Sequence, residues 1–375
     1  NGGVTLIKEL LQSGFTYNKD SLLKDNDFFY LIDTSYTFLF IRVRYKRKII
    51  NFYDLNNFYN VDIDTVATFE DKLDALRYAV NSLPKSHAYT LTGQTANEYK
   101  KYLKNNGVWL NVIFEQLPVY TEKFCAKSFV GGICAVNKKY LNQKLKVYQY
   151  DYNNLYGYIL ANKLLPFGQP THVVGNSFDM LDDFTVSIQH IRAQVKAKSR
   201  VRWFKIKTDI SFYEKTIEDT KYKVDLWITS IDFKELKKDY ELKEVEFVEG
   251  FIFEASTHLF DDYVINNYNL KSNASNGWIE QLYKGYNNRL FGYFGKRTSH
   301  NYMEFNLTAS NRLTTSSYQL KAKPVYCPIS AFVASYGRSM ILNYIRKYYD
   351  DWIYTDCDSL FMTRPIKELS VTNKL

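Results

Sequence analysis

The stretch Tyr354-Thr355-Asp356-Cys357-Asp358-Ser359 lies within residues 351–362, which read as two short strands turning at an acidic tip. In an extended strand residues i and i+2 face one side, so both carboxylates are expected to converge while Cys357 turns away. Two close carboxylates attract a cation. Mg2+ in particular is held by one or two carboxylates, with substrate phosphates completing its shell. Taken alone, such a stretch is more often a solvated hairpin, so its meaning depends on what the rest of the chain carries.

A further carboxylate comes earlier, in Tyr148-Gln149-Tyr150-Asp151-Tyr152-Asn153-Asn154-Leu155-Tyr156-Gly157. A strand expected over 146–151 delivers Asp151 to a helix expected over 154–164, whose first amides favour anionic groups. If Asp151 faces the Asp356 hairpin, three carboxylates can hold two divalent ions roughly 4 Å apart. Otherwise Asp151 is an ordinary helix cap. A third segment, Lys284-Gly285-Tyr286-Asn287-Asn288-Arg289-Leu290-Phe291-Gly292, places Lys284, Asn288, and Phe291 or Gly292 on one helical face. That face offers a charge for a triphosphate and a flat surface for a base, or else it is the inner side of an amphipathic helix. Lys271 adds a second charge about three and a half turns earlier if the helical region 259–294 is continuous.

The chain has 375 residues, room for two to three domains of roughly 150 residues, and its 46% hydrophobic and 24% charged content is ordinary for a globular protein. No uncharged apolar run approaches the roughly 18 residues that cross a bilayer, so no membrane association is expected. Lys and Arg number 49 against 40 acidic residues, and the resulting +9 favours polyanionic partners. The 33 Tyr and 26 Phe beside many Lys suit stacking on single-stranded nucleic acid, although AT-rich coding alone raises the same residues. Cys125, Cys134, Cys327 and Cys357 form no CxxC pair and have no neighbouring His set. Neither a zinc site nor a disulfide framework is expected, and a reducing compartment fits.

Along the chain, a helix is expected over 4–11, strands over 28–32, 38–45 and 48–52, and helices over 69–83 and 95–105, the last capped by Thr95. Gly131-Gly132 marks a turn where backbone can approach a ligand closely, with a domain boundary near 125. Residues 163–258 read as an inserted α+β module with strands over 202–206 and 245–248 and a helix over 232–240. Residues 295–323 are polar, as a hairpin or loop insertion would be, and helix returns over 331–349.

The three acidic and basic segments, in this order, form a specific combination that resembles family B DNA polymerases. Asp151 to Gly157 is similar to the DxxSLYP motif, Lys284 to Gly292 to KxxxNSxYG, and Tyr354 to Ser359 to YxDTDS. Phe129-Val130-Gly131-Gly132 resembles the YxGG loop of the protein-primed branch found in linear-genome phages and linear organellar plasmids, and the two insertions match that branch. The resemblance covers nearly the whole chain and implies a multidomain α/β and α+β fold. Its parts are a partial ribonuclease H-like exonuclease domain at 1–125, a palm of antiparallel sheet plus helices at 126–162 and 324–375, and helical fingers at 259–294. The module at 163–258 corresponds to the insertion that binds the priming terminal protein, and 295–323 to the one that helps encircle DNA.

The implied reaction is template-directed transfer of deoxynucleotides to a primer 3′-hydroxyl or a priming-protein hydroxyl, using two Mg2+ ions or Mn2+ in their place, in replication of a linear viral or plasmid genome. By the resemblance, Asp151 and Asp358 are metal ligands and Asp356 their catalytic neighbour. Tyr156 is the steric gate against a ribose 2′-hydroxyl, Lys271 and Lys284 hold the triphosphate, and Asn288 and Phe291 line the nascent base pair. Gly131, Gly132, Arg338 and Ser359 contact DNA, Arg338 standing in Ala334-Ser335-Tyr336-Gly337-Arg338, which is similar to the TxxGR element. This chain departs from the motifs with Asn154 for Ser, Gly157 for Pro, Arg289 for Ser, Phe291 for Tyr, Cys357 for Thr and Ala334 for Thr. None of these removes a carboxylate. The implied partners are a DNA primer-template, dNTPs and a terminal protein, in the host cytoplasm or, for a plasmid, the mitochondrion.

The exonuclease is expected to be folded but inactive. Its second motif should present an Asp near Asn1-Gly2-Gly3-Val4, and Asn106 stands where the third, YxxxD, has its Asp. An amide cannot supply the charge that holds a divalent ion beside a phosphodiester. With no initial Met and a last triplet of Asn373-Lys374-Leu375, both ends are expected to be cut, leaving out the start of the exonuclease domain and the thumb. Two other readings fit part of the pattern. A DxD glycosyltransferase explains the acidic pair without needing Asp151 or Lys284, and a decayed replicase remnant that only binds nucleic acid keeps all three motifs.

Overall fold

In the computed structural model, Gly2–Gln12 forms α1, with Ile7 buried and Val4, Leu10 and Leu11 packed beside it at the spacing of one helical face. Its partner is a sheet of Thr16–Tyr17 (β1), Asp27–Ile32 (β2), Phe38–Tyr45 (β3) and Lys48–Tyr53 (β4), with β1 and β2 parallel and the other pairs antiparallel. Every second residue of β2, namely Phe28, Tyr30 and Ile32, is buried, as expected of a strand covered on one side. The structure describes residues 2–18, 22–33, 37–54, 57–59, 69–84, 88–207, 214–217, 219–296, 299–307 and 313–369. Asn1, the triplet Asn373 to Leu375 and parts of both expected insertions lie outside them.

Two helices follow, Phe69–Ser82 (α2) and Leu91–Asn105 (α3). The second begins a turn earlier than expected: Thr90 Oγ1 accepts the Gly93 N–H at 3.2 Å, whereas Thr95 is interior and its hydroxyl donates to the Leu91 carbonyl at 2.8 Å. Then come Leu110–Ile113 (α4), Val119–Ser128 (α5), Cys134–Val136 (β5), Tyr148–Asp151 (β6) and Leu155–Asn162 (α6). The expected α+β module contains Leu165–Val174 (β7), Thr185–Ala197 (β8), Lys205–Lys207 (β9), Glu214–Thr216 (β10), Val224–Thr229 (β11), Ser230–Asp239 (α7) and Tyr240–Ser256 (β12). Its main sheet has the antiparallel order β11-β8-β12-β7.

The helical region after it is not continuous. Asp261–Ser272 (α8) and Gly277–Phe294 (α9) are separate, and Asn276 Oδ1 starts the second by accepting the Trp278 and Ile279 N–H groups, both at 3.0 Å. Lys271, in the last turn of α8, therefore does not share a helix with Lys284. The polar insertion is a hairpin, Ser299–Leu307 (β13) with Leu313–Lys321 (β14). Cys327–Lys347 (α10) starts one turn before its expected position, because Pro328 occupies the first turn, where a missing N–H costs nothing. The chain then makes Trp352–Asp356 (β15) and Ser359–Met362 (β16).

Two compact units result. One comprises Asn1–Glu98, Lys271–Tyr286 and Arg297–Lys323, the other Tyr99–Leu270, Asn287–Lys296 and Pro324–Leu375. In the first, the β13–β14 hairpin joins the β2 face, where the Phe305 N–H donates to the Tyr30 hydroxyl at 2.6 Å. A second core there gathers Phe58, Tyr59, Leu91, Leu282 and Tyr286. Gly285 lets α9 approach α3 closely, since a Cβ would lie 2.4 Å from Leu91 Cδ2. In the second unit α10 is buried on nearly every side from Cys327 to Ser335 and serves as the core helix. The division falls at Glu98 and Tyr99 rather than near 125, because Tyr99, Leu103, Phe114, Leu117 and Phe124 share a core with α6, α10 and the end of α9. Residues 271–286 of the expected fingers fall in the first unit for the same kind of reason.

Candidate active site

Antiparallel pairing in the order β5-β15-β16-β6 sets Cys134 opposite Asp356, Asp356 opposite Ser359, and Ser359 opposite Asp151. Directly opposed residues share a face, so these four make one row across the sheet. Neighbouring strands lie roughly 5 Å apart, which puts the Asp151 and Asp356 backbones about 10 Å apart. Cys357 and Asp358 are not strand residues. They form the two-residue turn, with Cys357 in the left-handed region at φ 55° and the Asp358 N–H donating to the Asp356 carbonyl at 2.6 Å. The Asp358 carbonyl in turn accepts the Tyr152 N–H at 2.9 Å, which fastens the turn to the exit of β6.

The expected alternation, with both acids on one side and Cys357 turned away, does not hold. The turn brings Cys357 Sγ to 3.6 Å from Cys134 Sγ, and the Cys134 thiol donates to Asp356 Oδ1 at 3.0 Å. Among the described residues, Cys134, Asp356 and Cys357 form the one trio whose ligand atoms all lie within 4.8 Å of one another, and neither Asp151 nor Asp358 belongs to such a trio. Two cysteines 223 positions apart thus meet although no spacing rule pairs them. Burial, then Cys134 and Asp356, pushes the Cys357 thiol up to about 12, and burial followed by the Asp356 hydrogen bond raises that of Cys134. Asp151 and Asp358 remain neighbours by a different route, since Asp358 immediately precedes the cross-strand partner of Asp151. Both are hard oxygen donors of the kind Mg2+ takes, Asp151 exposed and Asp358 half-buried.

Tyr156, on α6, lies against Phe291 of α9 with ring centroids 4.1 Å apart and planes inclined 33°. Burial raises its hydroxyl, and Cys357 and Asp358 push the same way, so the ring sits beside the acidic turn. The helix carrying it starts with Asn154 in the left-handed region at φ 58°, and Asn154 Oδ1 is buried with no partner among the described residues. A Cβ at Gly157 would lie 2.3 to 2.6 Å from the Asn154 amide atoms. The two departures from the motif are therefore coupled: Asn154 fills the space that a side chain at position 157 would need.

Arg338 and Ser359, expected on DNA, are turned into the protein. Arg338 is 2% exposed, pairs with Asp232 of α7 at 2.5 Å, and donates through Nη1 to the Val130 and Gly131 carbonyls at 2.6 and 2.7 Å. Lys205 Nζ donates to the next carbonyl, Gly132, at 3.3 Å. The glycine loop is thus held by its carbonyls, and the close approach that Gly132 permits is to the acidic turn, since a Cβ there would sit 2.9 Å from Cys357 Sγ. The buried Ser359 hydroxyl donates to the Asp356 carbonyl at 3.2 Å and closes the turn. Sequence reasoning missed Asp232 and Cys134, whose roles come from long-range contacts. It also missed the buried Asn287, which accepts from Asn267 and donates to the Val264 carbonyl, both at 3.1 Å.

Lys284 is exposed on α9 and belongs to the first unit, as does Lys271, whereas the half-buried Asn288 and Phe291 belong to the second. Asn106 caps the end of α3, its side-chain amide donating to the Tyr102 carbonyl at 2.9 Å.

The model of the family described as DNA polymerase type B, organellar and viral, matches residues 44–374. The DNA polymerase of Bacillus phage phi29 is 28% identical over 260 residues, covering 67% of this chain and 44% of the relative. That of Streptococcus phage Cp-1 is 26% identical over 289 residues, covering 73% and 50%. The chain thus spans half or less of the length of these curated relatives. A solved complex of phi29 DNA polymerase with primer-template DNA and incoming nucleotide substrates superposes with a TM-score of 0.79 at 22% identity, covering 97% of this chain and 71% of that one. The mixed multidomain fold expected from the sequence is therefore the phi29 polymerase fold. With the match running over nearly its whole length, the chain belongs to the organellar and viral family of type B DNA polymerases.

Proposed function

We propose that this chain carries the polymerase site of a protein-primed replicase, adding deoxynucleotides to a primer or priming-protein hydroxyl under direction of a DNA template. The observation that carries the reading is the adjacency of Asp151, the Asp356-to-Ser359 turn and the Tyr156–Phe291 ring pair. The ligands that phi29 polymerase holds in its solved complex, primer-template DNA and incoming nucleotide, are the ones we assign to this chain. Asp151 and Asp358 would hold two Mg2+ ions, or Mn2+. When bound, such a pair lowers the cost of ionising the attacking hydroxyl and neutralises charge on the transferring and leaving phosphates.

The chain's own residues do the positioning. Asp356, held by the Cys134 thiol, contributes negative charge beside the pair. Phe291 gives the nascent base pair an apolar wall, and Asn288 from the same motif lines it. Tyr156 closes the floor beneath the sugar, where a ribose 2′-hydroxyl would be buried without a partner. Lys284, by its place in the motif, and Lys271, by the family resemblance, are assigned to the triphosphate. Arg338 acts on DNA through the loop it fixes, presenting Gly131 and Gly132 to the template strand.

Within this reading the β7–β12 module receives the priming terminal protein, the β13–β14 hairpin helps enclose DNA, and the N-terminal sheet is an exonuclease-like domain without hydrolytic activity. The compartment is the host cytoplasm, or the mitochondrion for a plasmid genome. Among the described residues no helix is long and apolar enough to cross a membrane. The test is single-nucleotide incorporation on four primed templates differing in the first unpaired base. Addition of the complementary dNTP alone, and only with Mg2+ or Mn2+, is expected. Incorporation indifferent to the template base, or sugar transfer in its place, would contradict the proposal.

A further inference from the structure

The reaction proposed above uses the charge of Asp356 but not the convergence of its carboxylate with the Cys134 and Cys357 thiols, whose ligand atoms all lie within 4.8 Å of one another. The chemistry of the trio is unlike that of Asp151 and Asp358. Two sulfurs and one oxygen are a soft donor set, matched to Zn2+ and not to Mg2+. The spacing is also that of a coordination shell. With Zn–S near 2.3 Å, two thiolates on one tetrahedral ion stand roughly 3.8 Å apart, and a thiolate and a carboxylate oxygen about 3.5 Å. The sulfurs here are 3.6 Å apart, and Cys134 Sγ is 3.0 Å from Asp356 Oδ1. A disulfide needs about 2.05 Å between sulfurs, so covalent pairing would require the turn to shift by much more than metal capture does.

The backbone pre-sets this arrangement. Cys134 is fixed opposite Asp356 by the β5–β15 register, Cys357 is held by its N–H donating to the Ile133 carbonyl at 2.8 Å, and both belong to the same unit. Cys134 and Asp356 are exposed, which gives an ion a path in and leaves room for water as the fourth ligand.

We propose that Cys134, Cys357 and Asp356 form a binding site for one thiophilic divalent ion, Zn2+ by preference, beside the carboxylate pair that holds Mg2+. Binding exchanges the two thiol protons for the ion, with no change of oxidation state. Resting on the polymerase reading, one consequence is that an ion there occupies Asp356, so micromolar Zn2+ slows nucleotide addition through a site that excess Mg2+ does not relieve.

The experiment titrates the purified 375-residue chain with Co2+ in a phosphine reductant and follows visible and near-ultraviolet absorption. Expected is one Co2+ per chain with thiolate-to-cobalt charge-transfer bands, bleached by one equivalent of Zn2+ and untouched by a thousandfold excess of Mg2+. Cys134→Ser and Cys134→Ala should each weaken Co2+ binding at least tenfold while leaving the metal-free melting temperature unchanged. Absence of the thiolate bands in the reduced wild-type chain overturns the proposal. So does their bleaching by Mg2+, which would put the ion on Asp151 and Asp358, or their survival in both Cys134 variants, which would put it on Cys125 and Cys327. The absorption readout needs no activity, so a chain that binds Co2+ in this way but extends no primer would refute the polymerase reading and leave the metal site standing.

Discussion

Tyr156 shows what a single side chain does at the candidate site. Its ring is held 4.1 Å from that of Phe291, and its helix starts from the Asn154–Gly157 packing, so its position is fixed from two sides. A ring so fixed excludes by volume, and Tyr156→Val should raise the ratio of ribonucleotide to deoxynucleotide incorporation by at least tenfold, with Tyr156→Phe near wild type. Competition between a dNTP and its rNTP in a primer-extension assay measures this, and an unchanged ratio in Tyr156→Val removes the residue from the gate. The identity and order of Asp151, Tyr156 and the Asp356 turn were legible in the sequence because each sits in a short local motif. The direction of Cys357 was not. Strand alternation predicts it away from Asp356, but the two residues between Asp356 and Ser359 are a turn, and turn geometry replaces the pleat there.

At the scale of elements, the buried Arg338 is the cation that ties the glycine loop to both α7 and α10, while Arg346 of α10 pairs separately with Glu235 and Asp239 of α7. Arg338 satisfies Asp232, the Ser335 hydroxyl and two loop carbonyls at once. Its removal strands Asp232, which is 2% exposed, without its counter-charge. Arg338→Ala should therefore cost about 3–5 kcal/mol of stability, read from the denaturant midpoint of the second unit. Replacing both partners, Arg338→Met with Asp232→Leu, should recover much of it. A loss below about 1 kcal/mol would show that the network is not the brace it looks to be. No pattern in the sequence pairs residues 106 positions apart, which is why Arg338 read as a DNA contact. Local signals fared better. The hairpin β15–β16 falls where two short strands are expected over 351–362, and β13–β14 falls within the polar segment 295–323, for which a hairpin and a loop were both open, while α3 and α10 each begin one turn before their expected starts at 95 and 331.

Over the whole molecule the excess of basic residues, +9, favours binding that reads phosphate rather than base sequence. Affinity for primed DNA should fall linearly in log–log form with salt, losing on the order of tenfold or more between 50 and 200 mM, with little change between unrelated sequences. Fluorescence anisotropy at several salt concentrations checks this, and a flat titration would remove the electrostatic account. The division at Glu98 and Tyr99 was not readable from the chain, because α3 and α9 each contribute one end to one core and the other end to another.

If Asp151 and Asp358 together make the metal site of a DNA polymerase, single-turnover primer extension by the wild-type chain, Asp151→Ala and Asp358→Ala at equal folded concentration reads it most directly. Loss of a metal-binding carboxylate should lower the rate by more than about 10³-fold for either variant, a difference of several kcal/mol in the barrier. Extension at near wild-type rate by either variant would contradict the account.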